Sequence, residues 1–182
     1  MTSSRSAMVT PSCSDMKNSD AHPARQIALL SVCAAILVAS QVAMAALPNI
    51  ELVSLLVVLY TLTFRKKALF PIYVFVFLEG LLYGFHLWWV IYLYIWLILW
   101  GAAMLLGRRS HSPVQWALVT GIFGLLFGFF GSFAYLPVSG VRAAVAWWIA
   151  GIPMDLLHGA GNFALTLVLF RPLSKVLSRW TL

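Results

Sequence analysis

Six apolar stretches, spanning residues 26–46, 49–64, 68–85, 87–106, 113–135 and 143–170, follow one another along the chain with short polar connections between them. A helix that crosses a bilayer needs about 20 largely apolar residues, so a chain of this length holds about six crossings and little else. With 62% of residues hydrophobic and 9% charged, the composition lies outside the soluble globular range. The expected fold is therefore an all-α membrane protein, a six-transmembrane-helix bundle occupying residues 25–182. The second stretch is short for a crossing and the last is long.

The charges report on orientation. Arg5, Lys17 and Arg25 precede the first stretch, Arg65, Lys66 and Lys67 follow the second, Arg108 and Arg109 follow the fourth, and Arg171, Lys175 and Arg179 follow the sixth. With six crossings these all fall on one side, and Arg142 alone falls on the other. The positive-inside rule then places both termini in the cytoplasm, with the turns at Pro48, His86 and Arg142 facing outward. The net charge of +7 is accounted for by these connections, and no nucleic-acid partner is expected.

Residues 1–24 are polar, rich in Ser and without apolar periodicity, which reads as a disordered cytoplasmic tail. Ala43-Met44-Ala45 before Ala46 has the small-x-small form of a signal-peptide cleavage site, but the region ahead of it is long for a signal peptide. Cys13 and Cys33 are the only cysteines and form no CxxC pair, which removes thiol-oxidising membrane enzymes. There is no His-Glu metal spacing, no Gly-x-Ser-x-Gly nucleophile element and no phosphate-binding Gly-rich loop. His86 and His158 make a poor haem pair, being set at different depths. The chain is expected to be non-catalytic, with no cofactor and no metal, and any nucleotide hydrolysis would belong to another subunit.

Each polar side chain inside an apolar stretch needs a reason, because a mid-membrane charge costs about 2.5–3.5 kcal/mol on insertion scales. Asn49 and Glu51 lie at the outer start of the second stretch, and Glu79 lies in the outer half of the third. Asp155, His158 and Asn162 are spaced i, i+3, i+7 and so share one face of the sixth helix. One reading makes this face structural, with Asp155 accepting a hydrogen bond from His158 and Asn162 tying helices together. The other makes it the wall of a polar cavity for a small ligand. Pro153, close to Gly151, is expected to break the helix and free the carbonyl of Ile149, as at many transporter sites.

Aromatic residues gather at the outer boundary: Trp88, Trp89 and Tyr92 on the fourth stretch, Trp147 and Trp148 on the sixth. Most suit an interfacial belt. Trp89, Tyr92, Trp96 and Trp100 continue down one face, either to pack on the fifth helix or, for Trp89 and Tyr92, to stack on a flat ligand. Small residues line two helices. Gly121, Gly124, Gly128 and Gly131 share a face expected to serve internal packing, whereas Ser31, Ala35, Ala39 and Ala43 form a stripe equally suited to a membrane partner.

Taken together, Leu47-Pro48-Asn49-Ile50-Glu51-Leu52-Val53, Glu79-Gly80-Leu81-Leu82-Tyr83-Gly84, the Trp88-Trp89 to Trp96 stretch and the run WWIAGIPMDLLHGAGNF from Trp147 to Phe163 resemble the substrate-binding (S) components of energy-coupling factor (ECF) type ABC transporters. The resemblance covers nearly everything from Gln26 to Lys175. It implies a vitamin-capture subunit in the cell membrane, working with a transmembrane coupling protein and two ATPase subunits and tilting in the bilayer to release its cargo inward. The family's Ala-xxx-Ala motif in the first helix is matched by Ala35 and Ala39, and with Ala43 this face would meet the coupling protein. The connection around Pro48 departs from the pattern, being shorter than the covering loop of several relatives, which leaves the mode of enclosure open.

On this reading Asn49, Glu51, Glu79, Trp89, Tyr92, Arg142, Trp147, Asp155, His158 and Asn162 line an outward cavity for a vitamin-like substrate. Glu51 and Glu79 accept hydrogen bonds, the aromatics stack, and Arg142 attracts an anionic group. The alternative is a non-transporting scaffold of the cell-shape type, with similar hydropathy, in which the same polar residues serve helix contacts and the alanine stripe a fixed partner.

Overall fold

The computed structural model describes residues 13–107 and 112–179. Residues 1–12 of the expected tail, and Arg108 and Arg109, lie outside them. The elements are α1 (Cys13–Met44), α2 (Val53–Phe64), a 3-10 turn at Arg65–Ala68, α3 (Leu69–Tyr83), α4 (Leu87–Leu106), α5 (Pro113–Leu125), α6 (Phe127–Gly131), a 3-10 turn at Ser132–Tyr135, and α7 (Leu136–Ser178). Among the described residues there is no strand. Because α1 begins at Cys13, helix reaches back into the segment 1–24 read as disordered. Extending an existing helix adds a hydrogen bond for each residue fixed, without the cost of a new nucleus.

Three helical stretches are long and apolar enough to cross a membrane: Pro23–Met44, Leu87–Leu106 and Phe127–Ser178. At 1.5 Å per residue α2 and α3 are only about 18 and 22 Å long, against a hydrocarbon layer of about 30 Å. The outward surface is strongly apolar, with Leu105 77%, Val168 70% and Val138 69% exposed. A surface of this kind is foreign to soluble monomers.

Packing accounts for the apolar character of α2, whose polar side chains Ser54, Thr61 and Thr63 are each hydrogen-bonded. Every residue from Val53 to Thr61 is buried, as expected of a helix apolar all round that runs through the middle of a protein. α1 covers it with one face, Leu30, Cys33, Ala34 and Leu37, spaced i, i+3, i+4, i+7. The Tyr60 hydroxyl donates to the carbonyl of Cys33 across this contact at 3.3 Å. Ala35, Ala39 and Ala43 point the other way and are exposed.

The glycine face of 121–131 packs internally against α7. A methyl group added at Gly124 would lie 2.8 Å from the backbone nitrogen of Gly159, and one at Gly121 would lie 3.1 Å from Phe163 Cβ. The stretch 113–135 is not one helix, however. It breaks at Leu126 (φ −97°, ψ 1°), where α5 ends and α6 begins. Four glycines within it weaken the helix, and a carboxylate from α7 takes the backbone N–H that a continuous helix would use itself.

A second correction concerns Pro153. The helix runs through it, and Pro153 lies on the exposed face. Non-helical backbone occurs at Gly140 instead (φ 77°, ψ 173°), a left-sided conformation that glycine adopts without a Cβ penalty.

Arg25, Arg65, Lys66, Lys67, Arg171 and Lys175 gather at one end of the bundle. Lys67 Nζ donates to Gln26 Oε1 at 2.8 Å, which brings the 65–67 cluster beside Arg25. Trp100 Nε1 donates to the carbonyl of Arg65 at 3.3 Å, so the far end of α4 arrives there too. Trp116 at the start of α5 stacks on Phe170, with ring centroids 6.4 Å apart, which sets Arg171 and Lys175 at the end where α5 starts.

Candidate functional site

At the end away from the basic cluster lies a cavity of about 470 Å³. Its floor and walls come from five elements: Gln41 and Met44 of α1, Glu79 and Tyr83 of α3, Trp88 and Tyr92 of α4, Phe127 of α6 and His158 of α7. Glu51 and the connection between α1 and α2, including Leu47, Pro48, Asn49 and Ile50, complete it. The volume falls within the range of small-ligand sites.

The connection forms a tight turn. Ile50 N–H donates to the Leu47 carbonyl at 3.3 Å, Pro48 occupies the second position, and Asn49 has φ 54° at the third. Pro followed by a residue with positive φ is the pattern of a type II turn, and asparagine is among the few side chains that tolerate it. The short loop thus reaches the cavity directly, and Asn49 lines it.

Glu51 and His158 are brought together although 107 residues separate them. His158 Nε2 lies 3.0 Å from Glu51 Oε1, and the Ser54 hydroxyl donates to the same oxygen at 2.8 Å. Asn162 Nδ2 donates in turn to Ser54 Oγ at 3.1 Å. A turn further along α7, Thr120 and Thr166 pair at 2.8 Å. This polar line follows the junction of α2, α5 and α7; each member is buried and makes at least one hydrogen bond, with Asn162 Oδ1 left open. Ser54 was missed in the sequence, although its i, i+3 spacing from Glu51 signals such a pair.

Glu79 differs from Glu51. Its residue is 2% exposed, it lines the cavity, and Oε1 has no hydrogen-bond partner. Gln41 Oε1 is a second buried acceptor in the cavity wall without a partner. Buried acceptors left open in this way are uncommon, and a donor from water or from a bound molecule can satisfy them; Asp155 Oδ2 and Asn162 Oδ1, outside the cavity lining, are open as well.

Five of the expected lining residues have other positions. Trp89 is turned away from the cavity, and its Nε1 donates to the Val76 carbonyl at 2.8 Å while its ring meets Phe85 at 4.9 Å. The cavity-lining tryptophan is Trp88, whose ring meets Tyr92 edge to face with centroids 5.3 Å apart. Adjacent helix residues point about 100° apart, so only one of the two tryptophans can face inward. Trp147 stacks on Tyr135 at 4.7 Å, and Arg142 is exposed, so neither is among the cavity-lining residues. Asn162 lies behind the cavity wall in the polar line already described.

Asp155 is the fifth, and it serves the fold. Its Oδ1 accepts the Gly128 N–H at 3.0 Å, one of the donors that a helix leaves open in its first turn. The expected Asp155–His158 hydrogen bond is absent among the described contacts, because His158 is engaged by Glu51 and packs its ring 4.9 Å from Phe127. Asp155→Asn retains an acceptor and is expected to cost less than about 1 kcal/mol, whereas Asp155→Leu strands the Gly128 N–H and is expected to cost about 1–3 kcal/mol. Unfolding curves of the two variants in detergent check this; equal losses would remove the capping role.

Trp96 is the aromatic hub of the wall behind the cavity. Buried at 1% exposure, it touches Phe75, Tyr92, Phe123 and Phe127 at centroid distances of 5.4–6.3 Å. Edge-to-face contacts of this kind hold Tyr92 and Phe127 in place as rigid cavity walls.

Comparison with protein-family models, with curated proteins and with solved structures found no match for this chain.

Proposed function

We propose that the chain is the substrate-capture subunit of an ECF-type uptake transporter, a six-crossing protein of the cell membrane with both termini in the cytoplasm. The observation that carries this reading is a small-molecule cavity at the end away from the Arg25, Lys66 and Lys67 cluster. By the positive-inside rule that cluster is cytoplasmic, which makes the cavity outward-facing. α2 and α3, too short to cross alone, complete their passages with the segments that flank them.

Two further features fit. The cavity is walled by Tyr83, Trp88, Tyr92 and Phe127, which suits a flat vitamin-like molecule. The exposed stripe of Ala35, Ala39 and Ala43 on α1 leaves a smooth surface on which a transmembrane coupling protein can seat closely. Energy for release then comes from two ATPase subunits bound to that partner. The scaffold alternative gives no role to a cavity with open acceptors.

Affinity purification of the full chain from its native membrane tests the assignment. ATPase subunits and a coupling protein are expected in the eluate, with a small molecule detectable by mass spectrometry after denaturation. Recovery of cell-wall synthesis proteins in place of ATPases would overturn it.

A further inference from the structure

The character of the cavity narrows the ligand, on the premise that the cavity is the capture site just proposed. It contains two carboxylates, Glu51 and Glu79, and among the described lining residues neither lysine nor arginine. His158 is the only basic side chain there, and it is already committed to Glu51 Oε1. Arg142 is exposed and is not among the cavity-lining residues.

The buried side-chain atoms of the lining that lack a partner are both acceptors. Glu79 Oε1 and Gln41 Oε1 are buried and unpartnered, on two different helices facing one space. Glu51 spends one oxygen on Ser54 and His158, and Oε2 accepts no hydrogen bond from any described residue. A ligand that brings only acceptors would leave these groups stranded beside its own, and a carboxylate ligand would set its negative charge against two acidic side chains at low dielectric. A ligand with N–H donors and a positive charge satisfies them. The walls agree, because Trp88, Tyr92, Tyr83 and Phe127 present ring surfaces that attract a desolvated cation.

We propose that this cavity binds a flat, nitrogen-bearing organic cation whose N–H groups reach Glu79 and Glu51, stacked among Trp88, Tyr92 and Phe127. Selectivity is then set by charge. Isosteric cationic, neutral and anionic ligands are separated, and Glu79 is the residue that separates them.

The test uses three aromatic probes of nearly one shape: benzamidine as the cation, benzamide as the neutral amide and benzoate as the anion. Binding to the full chain in lipid nanodiscs is followed by tryptophan fluorescence and by calorimetry. Benzamidine is expected to bind at least about tenfold more tightly than benzamide, with benzoate weakest, and E79Q is expected to remove most of that preference. Because the ranking is read first on the unaltered chain, it stands whether or not the variant folds. Benzamide or benzoate binding as tightly as benzamidine, or no benzamidine binding at all, overturns the proposal. ATPase co-purification is read separately. Recovery of ATPases together with a preference for benzoate sinks the charge inference and leaves the capture function standing, whereas cation preference without ATPases does the reverse.

Discussion

Gly124→Leu is expected to yield no folded protein, because the backbones of α5 and α7 touch at this point. A single methyl group at Gly124 already falls 2.8 Å from both Gly159 N and His158 C, and those are main-chain atoms that cannot swing aside. Even Gly124→Ala is expected to cost about 1–3 kcal/mol through the separation it forces. Gly159 faces the same junction, where an added methyl would meet the Leu125 side chain and the Gly121 carbonyl. The controls are Gly101 and Gly151, at which an added methyl meets nothing within 4 Å. Alanine there relieves the poor helix propensity of glycine and is expected to be neutral or stabilising by up to about 1 kcal/mol. Gel filtration and thermal unfolding in detergent check the set, and a Gly124→Leu variant that elutes and melts like the parent would show that the close α5–α7 contact is not required.

The second large effect is expected at Glu51. Glu51→Ala removes the acceptor shared by Ser54 and His158, leaving buried His158 Nε2 without that partner and Ser54 with only the Asn162 amide, at the junction of three helices. The expected loss is about 3–5 kcal/mol, the range found when one member of a buried pair is deleted. Much of that loss reflects the stranded partner and not the bond itself, so the single variant overstates the pair. A double-mutant cycle with Glu51→Gln and His158→Ala separates the two and is expected to give a coupling of about 1–3 kcal/mol. Additive losses would mean that the 3.0 Å contact contributes nothing, and the polar line would then be held by Ser54 and Asn162 alone.

These two sites show how differently polar groups and glycines act in an apolar protein. At Gly124 and Gly159 the absence of side chains lets backbones meet and gain dispersion contacts. At Glu51 and His158 the presence of side chains ties α7 to the loop before α2. The cavity depends on both. The close α5–α7 contact sets where His158 and Phe127 stand, and the Glu51–His158 bond holds the short loop against them. Trp89 supports the same wall from the other side, passing over Gly80 to reach the Val76 carbonyl.

Helical class and apolar character were legible from hydropathy alone, because burying a backbone in an apolar setting leaves helix as the low-cost solution for such segments. So were Asn49, Glu51, Glu79, Tyr92 and His158 as cavity residues, since a polar group in an apolar run is costly and therefore conspicuous. Direction was not legible. Trp88 and Trp89 are equivalent in composition and about 100° apart in space, and only the packing of Phe85 and Val76 decides which one turns away from the cavity. Nor was partnership. Asp155 and His158 lie one turn apart on α7, yet each bonds a residue from elsewhere in the chain, Gly128 of α6 and Glu51 of the loop before α2, because a break at Leu126 freed an N–H for the first and a tight turn at Pro48-Asn49 delivered a carboxylate to the second. Local spacing reveals which side chains share a face. Which of them meet is settled by long-range contacts that arise only when the helices assemble.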